Sequence, residues 1–386
     1  MLKTLRVKNY LSLRDLDLEL TGRNVLVGPN MAGKSNLVDC LRFLTQVAQM
    51  GLIKAFIDRG GFSEVVWKGT PTGHRISISL SGEEQAEGEP TARYQYEISI
   101  LGSPTGFTSI EREQLTVETN GRTFTLADLK HGQGSINRLD GSKVSESTGG
   151  PTVSALELSI PGWEGMKVKE HIASWRFYKL VPEAMKQANA AVAQNFLTER
   201  GENLSSWLMT LSTKHPEEIR RFKQAATDAL PGLEEILSPP TQFATTYLQT
   251  REKHLREPVN IWRMADGELV FLALLSLILS PVEYGAPLFC VEEPETHLHP
   301  RLLDTLVELQ KQVQEEFGLQ AAQVLITTHS PYLVDRVELE DLVVVEKREG
   351  ATQCRRPSSK AHLKELLTRE EAGLGELWYS GALGGV

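Results

Sequence analysis

Residues 2–7 alternate apolar and polar side chains, and Leu16, Leu18 and Leu20 alternate with Asp17 and Glu19, so the chain opens on two predicted β-strands. Asn-Val-Leu-Val at 24–27 is a short apolar run that leads straight into a glycine-rich turn. From 34 to 50 the period lengthens, and Leu37, Leu41, Leu44 and Val47 fall on one stripe of a predicted helix. Period two returns at 75–80, 94–101, 114–118 and 122–126, with Gly, Ser and Asn between the runs. That pattern predicts an antiparallel β lobe. Within it, residues 130–150 are rich in Gly and Ser and predict a long surface loop or mobile segment. Beyond Pro182 the pattern is helical as far as about 246; over 216–230, Ile219, Phe222, Ala226 and Leu230 share one face. Pro231 and the pair Pro239 and Pro240 punctuate the chain after that helix, and a polar stretch covers 250–257. The last third alternates helices (269–279 and 301–316) with buried strands (287–291, 323–326 and 342–345). No internal repeat appears, and no heptad pattern persists long enough for a coiled-coil arm.

Composition narrows the class. The chain has 386 residues, 40% hydrophobic and 24% charged, which suits two or three globular lobes rather than a disordered or fibrous chain. The net charge is 41 − 50 = −9, which excludes a strongly basic nucleic-acid coat but leaves room for a local basic groove. Cys40, Cys290 and Cys354 are too far apart for a disulfide framework or zinc knuckle, so a reduced, cytoplasmic setting is expected. The opening residues lack a signal-peptide core, and the apolar run at 269–282 is too short to span a bilayer. No membrane partner is expected.

The candidate chemistry begins at Gly28-Pro29-Asn30-Met31-Ala32-Gly33-Lys34-Ser35, with Asn36 next in the chain. It fits G-x-x-x-x-G-K-[ST] between a strand and a helix, the setting of a P-loop. There, consecutive backbone N–H groups and a helix N-terminus hold the phosphates of ATP, the lysine neutralises charge and the serine hydroxyl ligates Mg²⁺. Glu292-Glu293-Pro294-Glu295 comes directly after the apolar strand at 287–291. Two acids at a buried strand end are costly without a cation or a reaction. Beside a P-loop, Glu292 would hold Mg²⁺ and Glu293 would orient the attacking water. Glu295 reads as an N-terminal acid of a helix over 295–316. His329, in Thr-Thr-His-Ser-Pro after the strand at 323–326, can report on a γ-phosphate. Ala265, Asp266, Gly267 and Glu268 precede the apolar helix; an anion site and a plain N-cap explain them equally well.

The order of these segments resembles that of the ABC-type ATPases of the RecF, OLD and SMC group. VEEPETHLHP at 291–300 and LITTHSPYLVD at 325–335 are similar to that group's Walker B/D-loop and switch-histidine segments. LRVKNYLSLRDLDLEL at 5–20, WRFYKL at 175–180, GENLSSWLMTL at 201–211 and GLGELWYSGALGG at 373–385 resemble the stand-alone bacterial "AAA family ATPase" proteins more closely still. The resemblance implies an α/β P-loop NTPase of the ABC/RecF-like head type, with an antiparallel β lobe and an inserted helical lobe. Its expected divisions are 1–58 (the N-terminal part of the ATPase core, with the P-loop), 59–175 (β lobe), 176–258 (helical lobe) and 259–386 (the C-terminal part of the core). It also implies that two copies sandwich two ATP molecules, each P-loop facing the partner's signature. Residues 28–36 would then bind ATP, Ser35 and Glu292 Mg²⁺, Glu293 and His329 would act in catalysis, and Ala265 to Glu268 would act in trans. The chain departs from the group in having Glu292 where Asp is usual and Ala265 where the signature serine is usual. A Q-loop glutamine is not evident, although the turn at 60–64 stands about where that loop should be.

The function expected is a Mg-dependent ATPase whose ATP-gated homodimer acts on DNA or drives a separate effector, such as a nuclease in DNA repair or phage defence. The alternative is a slow or non-hydrolysing switch that signals by dimerising, which Glu292 and Ala265 favour. A transporter cassette is disfavoured by the inserts and the degenerate signature. No nuclease-like acidic cluster lies after residue 345, so no such domain is expected there. Arg220, Arg221 and Lys223, and Lys347, Arg348, Arg355, Arg356, Lys360 and Lys364, are the basic groups available to DNA, though solvated surface explains them as well.

Overall fold

The computed structural model describes residues 1–69, 75–85, 91–103, 107–280 and 286–357, with Gly373 and Gly375. Lys360, Lys364 and most of the closing segment at 373–385 lie outside the described residues. The chain forms two compact units, Met1–Trp175 with Leu339–Val386, and Arg176–Glu338.

The first unit holds an eight-stranded antiparallel sheet. Its strands run, in spatial order, Leu13–Glu19, Leu2–Tyr10, Arg75–Glu84, Ala92–Gly102, Thr108–Thr119, Arg122–Lys130, Gln133–Asn137 and Lys143–Ser147. The two opening strands therefore belong to the β lobe's own sheet. The segment expected as a loop at 130–150 is instead a hairpin: Gln133–Asn137 pairs with both Arg122–Lys130 and Lys143–Ser147. Its glycines are turn and edge residues. Gly134 passes so close to the Asp128 carbonyl that a Cβ would lie 2.1 Å from it, and only Ile136 in the first strand of the hairpin is buried. Short half-exposed strands of this kind leave no apolar alternation to read. A carboxylate fastens the sheet to the segment beyond it. Glu113, 1% exposed, accepts from Tyr96 Oη at 2.6 Å, Ser154 Oγ at 2.5 Å and the Ala155 N–H at 2.8 Å. Burial raises its carboxyl above the usual range, opposed by those donors.

The same unit contains Arg23–Val27, buried at every position, running parallel to Leu342–Arg348. Leu342–Arg348 turns back into Ala351–Arg355, a strand that periodicity does not predict. Arg23 and Asp341 are both nearly buried and meet at 2.5 Å, while the Asp341 carbonyl accepts the Val25 N–H at 2.8 Å. The helix Lys34–Met50 buries the expected stripe, Leu37, Leu41, Leu44 and Val47. On its other side Asp39 receives the Tyr10 hydroxyl at 2.6 Å and both edges of the Arg59 guanidinium at 2.9 and 3.0 Å. Arg59 also stacks 5.3 Å over Phe43.

In the second unit Arg176–Tyr178, Leu288–Glu292 and Gln323–Thr328 run parallel. Its core surrounds the helix Asp266–Leu279, buried from Leu269 to Ile278. Pro216–Ala229 and Pro300–Phe317 pack on that helix, and Leu204–Lys214 packs on Pro216–Ala229. The Trp207 indole donates to Ser276 Oγ at 3.1 Å inside this core. The helical lobe also holds a small antiparallel sheet, Leu233–Leu237, Gln249–Glu252 and Val259–Asn260, where helices alone were expected. Phe177 and Tyr178 are buried in this unit, and Trp175 in the first, so these aromatics fill core. Among the described residues no helix is long and apolar enough to cross a membrane, and all three cysteines are free thiols.

Asp341→Ala removes the carboxylate that faces the nearly buried Arg23. We expect it to lower the free energy of unfolding by about 3–5 kcal/mol, measured by urea denaturation. A change below about 1 kcal/mol would place the pair with exposed, weakly contributing ion pairs.

Candidate nucleotide site

The turn between Arg23–Val27 and Lys34–Met50 is shaped by close approaches. A Cβ on Gly28 would lie 2.1 Å from the Val345 carbonyl oxygen. Gly33 has φ +108°, and its Cβ would fall 1.9 Å from Thr352 Oγ1. Both motif glycines are therefore required by the strand Leu342–Arg348 and the hairpin it opens, not only by a ligand. Lys34, 6% exposed, folds its ammonium back onto the loop and donates to the Gly28 and Pro29 carbonyls at 2.6 and 3.1 Å. Met31 is left-handed and 84% exposed at the loop's tip. The helix has neither a side-chain N-cap nor an acid in its first turn, so its positive end has no side chain of its own that competes with an anion.

A chain of hydrogen bonds that sequence inspection misses holds this loop. Thr352 Oγ1 donates to the Ala32 carbonyl at 2.8 Å. With that proton committed, Ser12 donates to Thr352 at 2.6 Å. Asn36 Nδ2 in turn donates to Ser12 Oγ at 2.6 Å. Asn36 is thus tied to the turn between the two opening strands, as well as standing next to the motif serine. Ser35, at the helix start, is exposed.

The acidic residues lie in the second unit. The strand Leu288–Glu292 is buried through Val291 and ends at the half-buried Glu292. Glu293 is left-handed, φ 47° and ψ 53°, a conformation that costs a non-glycine residue about 1–2 kcal/mol. Its N–H donates to the Thr327 carbonyl at 2.9 Å, and its Oε1 lies 2.7 Å from His329 Nε2. Glu293 and His329, 36 positions apart, are brought together. The helix Pro300–Phe317 covers the expected 301–316 and does not reach back to Glu295; it is capped by the His299 ring, which accepts the Arg301 N–H at 3.3 Å. Glu295 is therefore not a helix cap. It turns back onto the strand Gln323–Thr328, where its Oε1 accepts the Thr328 hydroxyl at 2.5 Å and the His329 N–H at 3.0 Å. Pro300 stands at the first helical position, where proline fits.

The signature segment opens the helix Asp266–Leu279, with Ala265 as N-cap and no side-chain cap bond. Asp266 is held by Lys186 at 2.6 Å. A Cβ on Gly267 would lie 2.6 Å from the His297 carbonyl oxygen, so this glycine lets the helix start pack on the segment after the acids. Burial, then the charge of Glu252, pushes the Glu268 carboxyl up to about 7. Ser35 and Glu292 are oxygen donors of the kind that Mg²⁺ takes. Among the described residues no group of three or more His, Cys, Asp or Glu could hold a metal ion by itself. Among the basic candidates, Arg220 and Arg221 pair with Glu217 and Glu316, and Arg356 donates to the carbonyls of Glu19 and Glu340.

Thr352→Val keeps the side chain's shape but leaves the Ala32 carbonyl without its donor. ATP affinity measured by calorimetry should then fall about tenfold, and unchanged affinity would remove Thr352 from the loop's support. Glu268 is protonated more readily folded than unfolded, so ionising it opposes folding. The stability of Glu268→Gln relative to wild type should therefore grow as pH rises from 4.5 to about 7, read from thermal midpoints at several pH values. A gap that does not change with pH would contradict this.

Residues 23–335 match the family model described as "AAA domain, putative AbiEii toxin, Type IV TA system". Among solved structures the chain is similar to an SmcHead bound to the C-winged helix domain of ScpA, at 14% identity over 92% of this chain and 97% of that one, with a TM-score of 0.59. It is also similar to an Smc head domain with an extended coiled coil bound to the C-terminal domain of ScpA, derived from Pyrococcus furiosus, at 13% identity over 95% and 99% and a TM-score of 0.54. At such identities the likeness is one of fold. A search of the curated proteins finds none that matches this sequence. The strand–P-loop–helix unit, the acid-tipped parallel strand and the family match together make this chain a member of the AAA-domain, AbiEii-type family, built on the ABC/SMC-like P-loop ATPase fold.

Proposed function

We propose that this chain is a Mg-dependent ATP hydrolase whose ATP-gated head-to-head dimerisation drives a partner effector or acts on DNA. The observation that carries the reading is the 2.7 Å contact between His329 and Glu293, the latter on a strained turn at the end of a buried strand. Strain at such a place points to function. Residues 28–36 bind ATP, its phosphates held by Lys34 and by the loop's backbone N–H groups, Pro29 having none to give. Ser35 and Glu292 hold Mg²⁺, which neutralises phosphate charge when bound. Glu293 takes a proton from the attacking water as ATP + H₂O becomes ADP + phosphate, and His329 donates to the γ-phosphate. Ala265, Asp266, Gly267 and Glu268 meet the partner copy's nucleotide in trans. The missing hydroxyl at position 265 and the longer side chain at 292 support slow turnover, so the reading includes a switch that hydrolyses rarely. The Smc heads of similar fold were solved with ScpA domains bound, which supports a protein partner. The involvement of Arg220, Arg221 and Arg356 in internal contacts supports an effector over DNA.

Lys34→Ala is expected to abolish ATP binding, and Glu293→Gln to bind ATP yet lose at least about 100-fold in turnover, by calorimetry and phosphate release. Full ATP binding by Lys34→Ala would sink the P-loop assignment. In light scattering, Glu293→Gln should double in mass only with Mg-ATP; a mass indifferent to ATP would remove the trans role from residues 265–268.

A further inference from the structure

We propose that Glu295 is a positioning residue that holds the loop of His329 so that its ring reaches Glu293. This rests on the ATPase reading above. Three bonds lace the turn after the strand Leu288–Glu292 to the turn after Gln323–Thr328 in addition to the contact between Glu293 and His329. The Glu293 N–H donates to the Thr327 carbonyl at 2.9 Å. The Thr328 hydroxyl and the His329 N–H then converge on one oxygen, Glu295 Oε1, at 2.5 and 3.0 Å. Thr328 Oγ1 also accepts the Ser330 N–H at 2.9 Å, so the carboxylate fixes a hydroxyl that itself shapes the turn on both sides of His329.

The carboxylate is not needed where it was expected, because the helix Pro300–Phe317 has its own cap in His299. Its second oxygen, Oε2, is buried and has no hydrogen-bond partner among the described residues. A carboxylate so placed carries a desolvation cost that only its bonds to residues 328 and 329 offset. Among the described residues, the hydrogen bonds of Glu295 go to the Thr328 hydroxyl and the His329 backbone, not to Glu293's carboxylate or the His329 ring. It acts on the backbone from which the ring projects, and a displacement of about 1 Å there is enough to slow a positioned reaction about 100-fold.

The test uses the full chain with Glu295→Ala, Glu295→Gln, His329→Ala and the double variant Glu295→Ala/His329→Ala. Turnover, KM for ATP and amide hydrogen exchange across residues 327–331 are the readouts. Glu295→Ala should lower kcat about 10- to 100-fold with KM within about threefold. Glu295→Gln keeps a carbonyl acceptor for both donors and should stay within about fivefold of wild type. The double variant should be no slower than His329→Ala within about twofold, because Glu295 acts through that histidine. Exchange at residues 328–330 should quicken at least about tenfold in Glu295→Ala and little in Glu295→Gln. Multiplied losses in the double variant, wild-type turnover in Glu295→Ala, or unchanged exchange would each overturn the proposal. If Lys34→Ala and Glu293→Gln also turn over normally, the ATPase reading fails instead, and exchange alone decides whether Glu295 holds His329.

Discussion

The nucleotide loop stands on an ion pair between residues 318 positions apart. Arg23 begins one of two parallel strands and Asp341 directly precedes the other, and their nearly buried contact fixes which residue of one strand lies beside which of the other. Val25, Leu26 and Val27 then pair with Leu342, Val343 and Val344. That register sets the Val345 carbonyl against Gly28 and returns the chain so that Thr352 reaches Ala32. A slip of one residue would bring a different backbone against Gly28 and carry the threonine away from the loop. Because an unpaired charge inside a protein is so costly, the pair specifies this register more sharply than the surrounding valines and leucines can.

The second unit uses the same economy of placement. The strand Leu288–Glu292 is apolar until Glu292, and Gln323–Thr328 is apolar between Gln323 and its closing pair Thr327 and Thr328. Polar groups therefore gather at the carboxyl ends of parallel strands, the edge at which open α/β sheets bind ligands. The buried interior of the strands holds them rigid, and the turns beyond them absorb the unfavourable backbone of Glu293. Gly267 lets the apolar helix start within reach of the same turn, against the His297 carbonyl.

Much of this was legible in the sequence. The helix at Lys34–Met50 and the strands flanking the acids announced themselves because each buries a complete face or a complete run, and periodicity records burial. The P-loop was legible because its residue types have few other uses at that spacing. Three features were not. The hairpin within 130–150 buries almost nothing, so Gly and Ser outweighed its few strand residues. Thr352 and Ser12 owe their roles to contacts across 340 positions, and nothing local marks a threonine that will donate to a distant carbonyl. Glu295 sat in a segment whose acids suited a helix start, and the partner that claims it, the turn at Thr328, is 33 positions away. For Thr352, Ser12 and Glu295 a long-range polar contact determined the outcome, and such contacts leave no period.

The hairpin that ends in Arg355 also has a consequence for biosynthesis. The unit that carries the P-loop is assembled from both flanks of the chain, with Arg176–Glu338 interposed. A ribosome emits the glycine-rich turn first, and Asp341 and Thr352, which fix it, emerge only after more than three hundred further residues. The nascent loop must wait through that interval, at about 5–20 residues per second, without its lasting supports. A chain interrupted anywhere between Ser35 and Thr352 would hold a complete P-loop motif and yet lack the hydroxyl that pins it. Maturation of the loop is thereby deferred until Thr352 has been made, and chains ended before it are left without that support.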